Sequence, residues 1–266
     1  MVALGAVDAV MLAPVGEAWV RAALPERLAE HVTVHVVEPS GGAGATVDLA
    51  AGEIAAAIER VAPGRRAIVF GHSMNGTLSL AAAAKHPELV AGVIAVGSGP
   101  SLPPDAEATK AHWDANAEPA RKARFDEHAS AYAAAVAGSP EQMHHWRMAD
   151  RLRRWHELDP DEARMAQLDA AEGAIDMAWV QAVFADASNV DWPSVLASVR
   201  CPVLVALGRS DFLVPCDSWE GATAPPDLTV RVFERSSHTA FVEEPDGFVD
   251  AVAGWLRAAA IETEKT

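Results

Sequence analysis

The sequence predicts a mostly parallel α/β sheet with flanking helices and an inserted all-helical cap, on three observations. Short β-branched runs alternate with helical patterns, which is the order of a parallel sheet joined by crossover helices. The runs are continuously apolar with little alternation, as expected of strands buried on both faces. One long interval, residues 101–199, offers no good strand at all.

The candidate strands are Val7–Leu12, Val32–Val37, Ala67–Phe70, Val90–Gly97, Val203–Leu207 and Leu228–Phe233. Candidate helices are Trp19–Glu30, Val47–Val61, Gly76–His86 and Asp246–Ala260. In the last, Phe248, Val249, Val252, Trp255, Leu256 and Ala259 fall on one helical stripe. Crossovers in such a sheet are right-handed, so ligands are expected at the carboxyl ends of the strands.

The strand-free interval carries helical patterns interrupted by Pro119, Ser139-Pro140 and Asp159-Pro160, the last two reading as an N-cap followed by Pro at the first helical position. Inserted after Val90–Gly97, it lands over the carboxyl edge of the sheet. The expected organisation is therefore a core of residues 1–100 and 200–266 with a cap of residues 101–199. Trp113, Trp146, Trp155, Trp179 and Trp192 are concentrated there. Most are expected to hold the cap helices together, with Trp146 and Trp179 the candidates to line an apolar substrate pocket.

Composition narrows the partners. The chain has 266 residues, is 50% hydrophobic and carries a formal charge of −16. It is long enough to bury one large core. The acidic balance argues against nucleic acid, which requires clustered Lys and Arg, and disfavours an anionic membrane surface. The expected partner is a small-molecule substrate, with oligomeric state left open. Two cysteines, Cys201 and Cys216, make no disulfide framework and point to the cytoplasm. The first residues lack the basic segment of a signal peptide, and no apolar run approaches the ~20 residues of a membrane span. No G-x-G-x-x-G or Walker loop appears, and His144, His145 and His156 lack metal-ligand spacing, so neither a cofactor nor a metal is expected.

The densest signal is Gly71-His72-Ser73-Met74-Asn75-Gly76, which places a hydroxyl between glycines, after a strand and before a helix. Such a hydroxyl is a poor nucleophile unless a base lies within reach and a third group orients that base. Asp211, in "LGRSDFLVP", follows the strand Val203–Leu207, and His238, in "RSSHTAF", follows Leu228–Phe233. All three lie at strand ends on one edge, in the order Ser, Asp, His.

These motifs resemble the α/β-hydrolase superfamily over nearly the whole chain. "GHSMNG" is similar to its nucleophile elbow, "LGRSDFLVP" to its acid loop, and "SSHTAFVEEPDGF" to its histidine loop and final helix. More loosely, "HWDANAEPARKARF" and the long cap are similar to hydrolases grouped with the proline iminopeptidases. The resemblance implies Ser73 as nucleophile, His238 as general base and acid, and Asp211 as the orienting carboxylate. It further implies an oxyanion hole from the backbone N–H groups of Met74 and Val15.

Three departures accompany it. Asn75 replaces a small residue of the elbow and can direct its amide toward the pocket. "APVG" replaces the usual His-Gly pair, and Pro14 has no N–H to give. The usual hairpin ahead of the first parallel strand is missing before Val7, so either the sheet begins at the family's third strand or the recorded start is incomplete.

The expected activity is cleavage of a small or medium, largely apolar ester, lactone or thioester through an acyl-enzyme. The alternatives are a proline iminopeptidase-like aminopeptidase and a non-hydrolytic use of the fold as lyase, cyclase or ligand receptor. Elsewhere, His72 is expected to pack within the elbow. Arg147, Arg151 and Arg154 share a helical face that is either solvated or meets a carboxylate substrate. Glu243 and Glu244 are expected to be the solvated start of the last helix.

Overall fold

The computed structural model describes residues 6–261. Glu262–Thr266, a polar stretch in sequence, lies outside the described residues. Six strands form one sheet: β1 (Val7–Leu12), β2 (Val32–Val37), β3 (Ala67–His72), β4 (Val90–Val96), β5 (Val203–Gly208) and β6 (Leu228–Phe233). Their order is β2-β1-β3-β4-β5-β6, and every neighbouring pair is parallel. The chain builds outward from β1 to β2, then crosses to β3 on the other side of β1. That reversal opens a crevice beyond the carboxyl ends of β1 and β3.

The expected strands agree with the observed ones within two residues. The double-sided burial inferred from their composition holds in the middle of the sheet, where all of β4 and β5 is buried. At the edges it fails: β2 and β6 have one buried residue each, because an edge strand has a covering neighbour on one side only.

Helices α1 (Glu17–Ala23), α2 (Val47–Val61) and α3 (Met74–Lys85) connect the first four strands. The single helix expected over Trp19–Glu30 is in fact two pieces. α1 stops before Pro25, whose ring and missing N–H bar a continuous ladder, and a separate 3-10 turn covers Glu26–Glu30. α3 starts at Met74, two residues earlier than expected from glycine placement, with Ser73 as its N-cap residue.

Between β4 and β5 lie α4 (Ala106–Asn116), α5 (Pro119–Ala134), α6 (Pro140–Arg154), α7 (Glu162–Ala171), α8 (Met177–Ala187) and α9 (Trp192–Ser198). The Ser139-Pro140 signal behaves as read: Ser139 caps α6 by accepting from Gln142 N, with Pro140 at the first helical position. The chain ends in α10 (Ala240–Glu243) and α11 (Pro245–Ala258).

Two apolar layers sandwich the sheet. One joins Val69, Val93 and Val205 to Ile54 and Ile58 of α2 and Leu78 of α3. The other joins Phe70, Ile94 and Leu204 to Val20 of α1 and to Phe248, Val252 and Trp255 of α11. The last two helices of the insertion belong to the first layer: Trp179 and Val183 of α8, and Trp192 and Leu196 of α9, are buried in it. The Trp192 indole N–H donates to the carbonyls of Leu102 and Ala187, which joins both ends of the insertion.

Candidate active site

At the end of β3 the backbone turns into α3 within one residue. Ser73 has φ 58° and ψ −131°, a left-handed conformation that a side chain-bearing residue adopts at a cost of about 1–3 kcal/mol. Its N–H donates to Val96 O at 2.8 Å, and its carbonyl accepts from Gly76 N and from Ser98 Oγ at 2.7 Å. The flanking glycines are there for space. A Cβ on Gly71 would sit 2.3 Å from Asn75 O, and one on Gly76 would sit 2.0 Å from Ser98 Oγ. The close approach of strand and helix therefore rests on Gly71 and Gly76, and Asn75 does not prevent it.

The other two strand-end loops converge on the same edge. Asp211 is fully buried after β5. Its Oδ1 accepts from Leu213 N at 2.9 Å and Val214 N at 3.0 Å, while Oδ2 accepts from His238 Nδ1 at 2.8 Å. A carboxylate so held can only accept, so Nδ1 carries the proton and Nε2 is the free basic nitrogen. Nε2 is buried and has no hydrogen-bond partner in the protein. His238 and Ser73 both line one cavity of about 500 Å³. Asp211 and His238 of the expected triad are thus joined, and Ser73 shares the cavity of His238 without being hydrogen-bonded to it. Hydroxyl-to-imidazole bonds of this kind are often open before substrate arrives.

The histidine loop is held from several sides. Gly97, at φ 56°, lets β4 end against it, since a Cβ there would meet His238 O at 2.6 Å. His72 stacks on Trp19 and donates from Nε2 to His238 O at 3.1 Å. Burial first, then the nearby His238 and Arg154, hold the His72 pKa well below its ordinary value, so it remains neutral. The end of α6 adds two carbonyls: Arg154 O accepts from His238 N at 3.1 Å, and Arg153 O accepts from Phe212 N at 3.2 Å.

Glu243 and Glu244 depart from their expected solvated role. Glu243 accepts from Ser237 N at 2.8 Å and from His156 N at 2.6 Å, and Glu244 accepts from Arg235 N and Ser236 Oγ. They tie the histidine loop down from α10. Burial pushes the Glu243 pKa up to about 7, against the lowering effect of its backbone N–H partners. Only the double Glu after the histidine was visible in sequence; its turn back onto the loop was not.

Four other expected site residues are placed as follows. Met74 lines the cavity, at the N-terminus of α3, while Val15 is not among the lining residues and gives its carbonyl to Gly173 N at 3.1 Å. Asn75 is buried within α3 and does not line the cavity. Trp179 is packed into the sheet layer against Gly41, and Trp146 is exposed on α6; neither reaches the cavity. The aromatic lining comes instead from Trp113, Phe125 and Phe184. Helical periodicity located these aromatics on helices without saying which face meets the crevice.

Of the arginines on one face of α6, Arg151 pairs with Asp169 and Arg154 with Asp150, and Arg147 lies beside Arg151 away from Ser73. Cys201 is buried, with its thiol pushed up to about 11 by burial. Among the described residues, no group of three or more His, Cys, Asp or Glu is placed to hold a metal ion. Nor is any helix long and apolar enough to cross a membrane.

Residues 16–245 match the family described as alpha/beta hydrolase fold. The chain is 26% identical over 181 residues to a pimeloyl-[acyl-carrier protein] methyl ester esterase of Aromatoleum aromaticum, covering 68% of this chain and 70% of that protein. It is 37% identical over 71 residues to the AB hydrolase superfamily protein YclE of Bacillus subtilis, covering 26% of this chain and only 25% of that relative's length. Among solved structures, a proline iminopeptidase of Mycobacterium smegmatis superposes with a TM-score of 0.67 at 20% identity, covering 96% of this chain and 92% of that one. An esterase of Thermogutta terrifontis superposes at 0.65 with 17% identity, covering 96% of this chain and 91% of that one. The chain belongs to the alpha/beta hydrolase family.

Proposed function

We propose that the protein is a serine hydrolase that cleaves a small or medium, largely apolar carboxylic ester, lactone or thioester, with Ser73, His238 and Asp211 as its catalytic triad. The observation that carries this reading is the buried, unpartnered Nε2 of His238, oriented through Nδ1 by Asp211, in a cavity that Ser73 also lines. In this reading the Ser73 hydroxyl hydrogen-bonds Nε2 once substrate is bound. His238 takes the proton as Oγ attacks the acyl carbon, and the resulting imidazolium is stabilised by the Asp211 carboxylate. The Met74 N–H supports the oxyanion, at a position where such a donor contributes ~3–4 kcal/mol to barrier lowering. A second donor from Val15 requires the loop after β1 to close on the bound substrate. His238 then protonates the leaving group, and water repeats the cycle on the acyl-enzyme.

The cap is proposed to comprise residues 101–199, with α4, α5, α6 and α8 supplying the lining that excludes water above Ser73. Unbridged Cys201 and Cys216 fit a reducing compartment. An ester substrate is favoured over a prolyl peptide because the lining is mainly apolar and aromatic, with no carboxylate among the described residues that line it to receive a free amino terminus. A fluorophosphonate should label the folded protein once, at Ser73, and Ser73→Ala should lose both labelling and turnover of 4-nitrophenyl butyrate. Labelling that persists in Ser73→Ala, or ester turnover unchanged by it, would overturn the assignment.

A further inference from the structure

The cavity above Ser73 is mainly apolar but includes a small basic group, in a chain whose net charge is −16. Three cations line it: Lys110, Arg153 and Arg154. Two of them are already neutralised by neighbours on their own helices, Lys110 by Asp114 and Arg154 by Asp150. Arg153 is not. It is partly buried, it has no ion-pair partner among the described residues, and its one side-chain hydrogen bond runs from Nη2 to the carbonyl of Phe212 at 3.1 Å.

A guanidinium has five N–H donors and cannot shed its charge at any ordinary pH. At Arg153 most of these donors have no partner within the protein, and the partly desolvated surroundings strengthen their attraction for an incoming anion. Burial is indeed the leading influence on this group and works against its charge, with Asp150 and Asp211 opposing and Arg154 adding to it. The hydrogen bond to Phe212 fixes where the planar fork sits, and Phe212 directly follows Asp211. The cation is therefore anchored beside the acid loop, at the same cavity as the nucleophile. A carboxylate is the anion whose two oxygens match the guanidinium fork.

Resting on the serine-hydrolase reading above, we propose that Arg153 is a specificity-determining residue that binds a carboxylate on the substrate, so that the preferred substrates are esters bearing a second, ionised carboxyl group, such as monoesters of dicarboxylic acids. The apolar wall of Trp113, Phe125, Leu213 and Val214 then receives the methylene chain between the two carboxyl carbons.

The test compares 4-nitrophenyl hydrogen adipate with methyl 4-nitrophenyl adipate, which differ in charge and one methyl group. The wild-type protein should show kcat/KM about tenfold higher for the acid, the size of one charge-assisted hydrogen-bond pair. The ratio should fall toward one in Arg153→Met and be partly kept in Arg153→Lys. It should also decline in 0.5 M NaCl, which is read on the wild type and needs no variant. Reading a ratio cancels any loss common to both esters, including one caused by weakened support of Phe212. A wild-type ratio near one, or an unchanged ratio in Arg153→Met, overturns this proposal and leaves the hydrolase assignment standing. Failure to hydrolyse either ester overturns the assignment beneath it.

Discussion

β3, β4 and β5 bury every residue except His72, whereas α5, sixteen residues long, buries only Arg121. The two regions are stabilised in different ways. The sheet is held by apolar side chains on both faces, a non-directional force that grows with the area removed from water. The neighbouring pair α5 and α6 is held by a buried cation. The Arg121 guanidinium donates to the carbonyls of Leu152, Trp155 and His156 at the end of α6, pairs with Glu118, and lies over the Phe212 ring. A helix end leaves its last carbonyls without intrahelical partners. Here Arg121 takes those of Leu152 and the C-cap Trp155, together with that of His156 just beyond, while the carbonyls of Arg153 and Arg154 go to the acid and histidine loops. The α5–α6 pair is thus held by directional bonds that finish on the acid and histidine loops, and it is expected to open at a lower free energy than the sheet.

The contrast can be broken most severely in the sheet. Phe70→Ala removes a fully buried ring that meets Phe241 and Phe248, and should cost about 3–5 kcal/mol. Urea unfolding should show a lower midpoint at unchanged slope, with hydrogen exchange faster throughout the protein. Next in size is Arg121→Met, which keeps volume but strands the α6 carbonyls, at about 2–3 kcal/mol. Its effect should be local: exchange quickens in α5, α6 and the Phe212 and His238 loops while β3 to β5 stay protected, and esterase kcat falls. Equal acceleration in the sheet would mean that the two regions unfold as one.

The smallest expected effect sharpens the comparison at the seam. The folded chain keeps Glu243 protonated up to about 7, against 4.5 as its ordinary value. The folded state therefore binds an extra proton between those values, so this stabilisation is complete below about pH 4.5 and declines as pH rises through 7. Glu243→Gln removes that titration. Subtracting its stability from that of the wild type should give a difference that falls across pH 4.5–7 and is flat on either side. A flat difference throughout would show that Glu243 titrates alike in both states.

How much of this was legible beforehand differs between the same two regions. The strands and α2 follow from local composition, and the elbow from glycine spacing, because those signals operate over a few residues. The break before Pro25 was also local and readable, in the proline itself. Trp179 and Trp146 show the opposite case: residue type placed both in helices of the insertion, but only docking directed one into the sheet layer and left the other exposed. Arg121 looked like one more charge in a polar helix, since its partners lie more than thirty positions away in sequence.

By itself, the sequence determined the parallel sheet, the helical insertion, and the positions of Ser73, Asp211 and His238 at strand ends, because apolar periodicity and turn chemistry act over short chain distances. Only the tertiary structure decided which aromatics face the cavity, that Glu243 and Glu244 fold back onto the histidine loop, and that Arg153 has no counter-ion among the described residues. Those outcomes depend on how α6 meets the acid and histidine loops, and on hydrogen bonds between groups that the chain brings together only when packed.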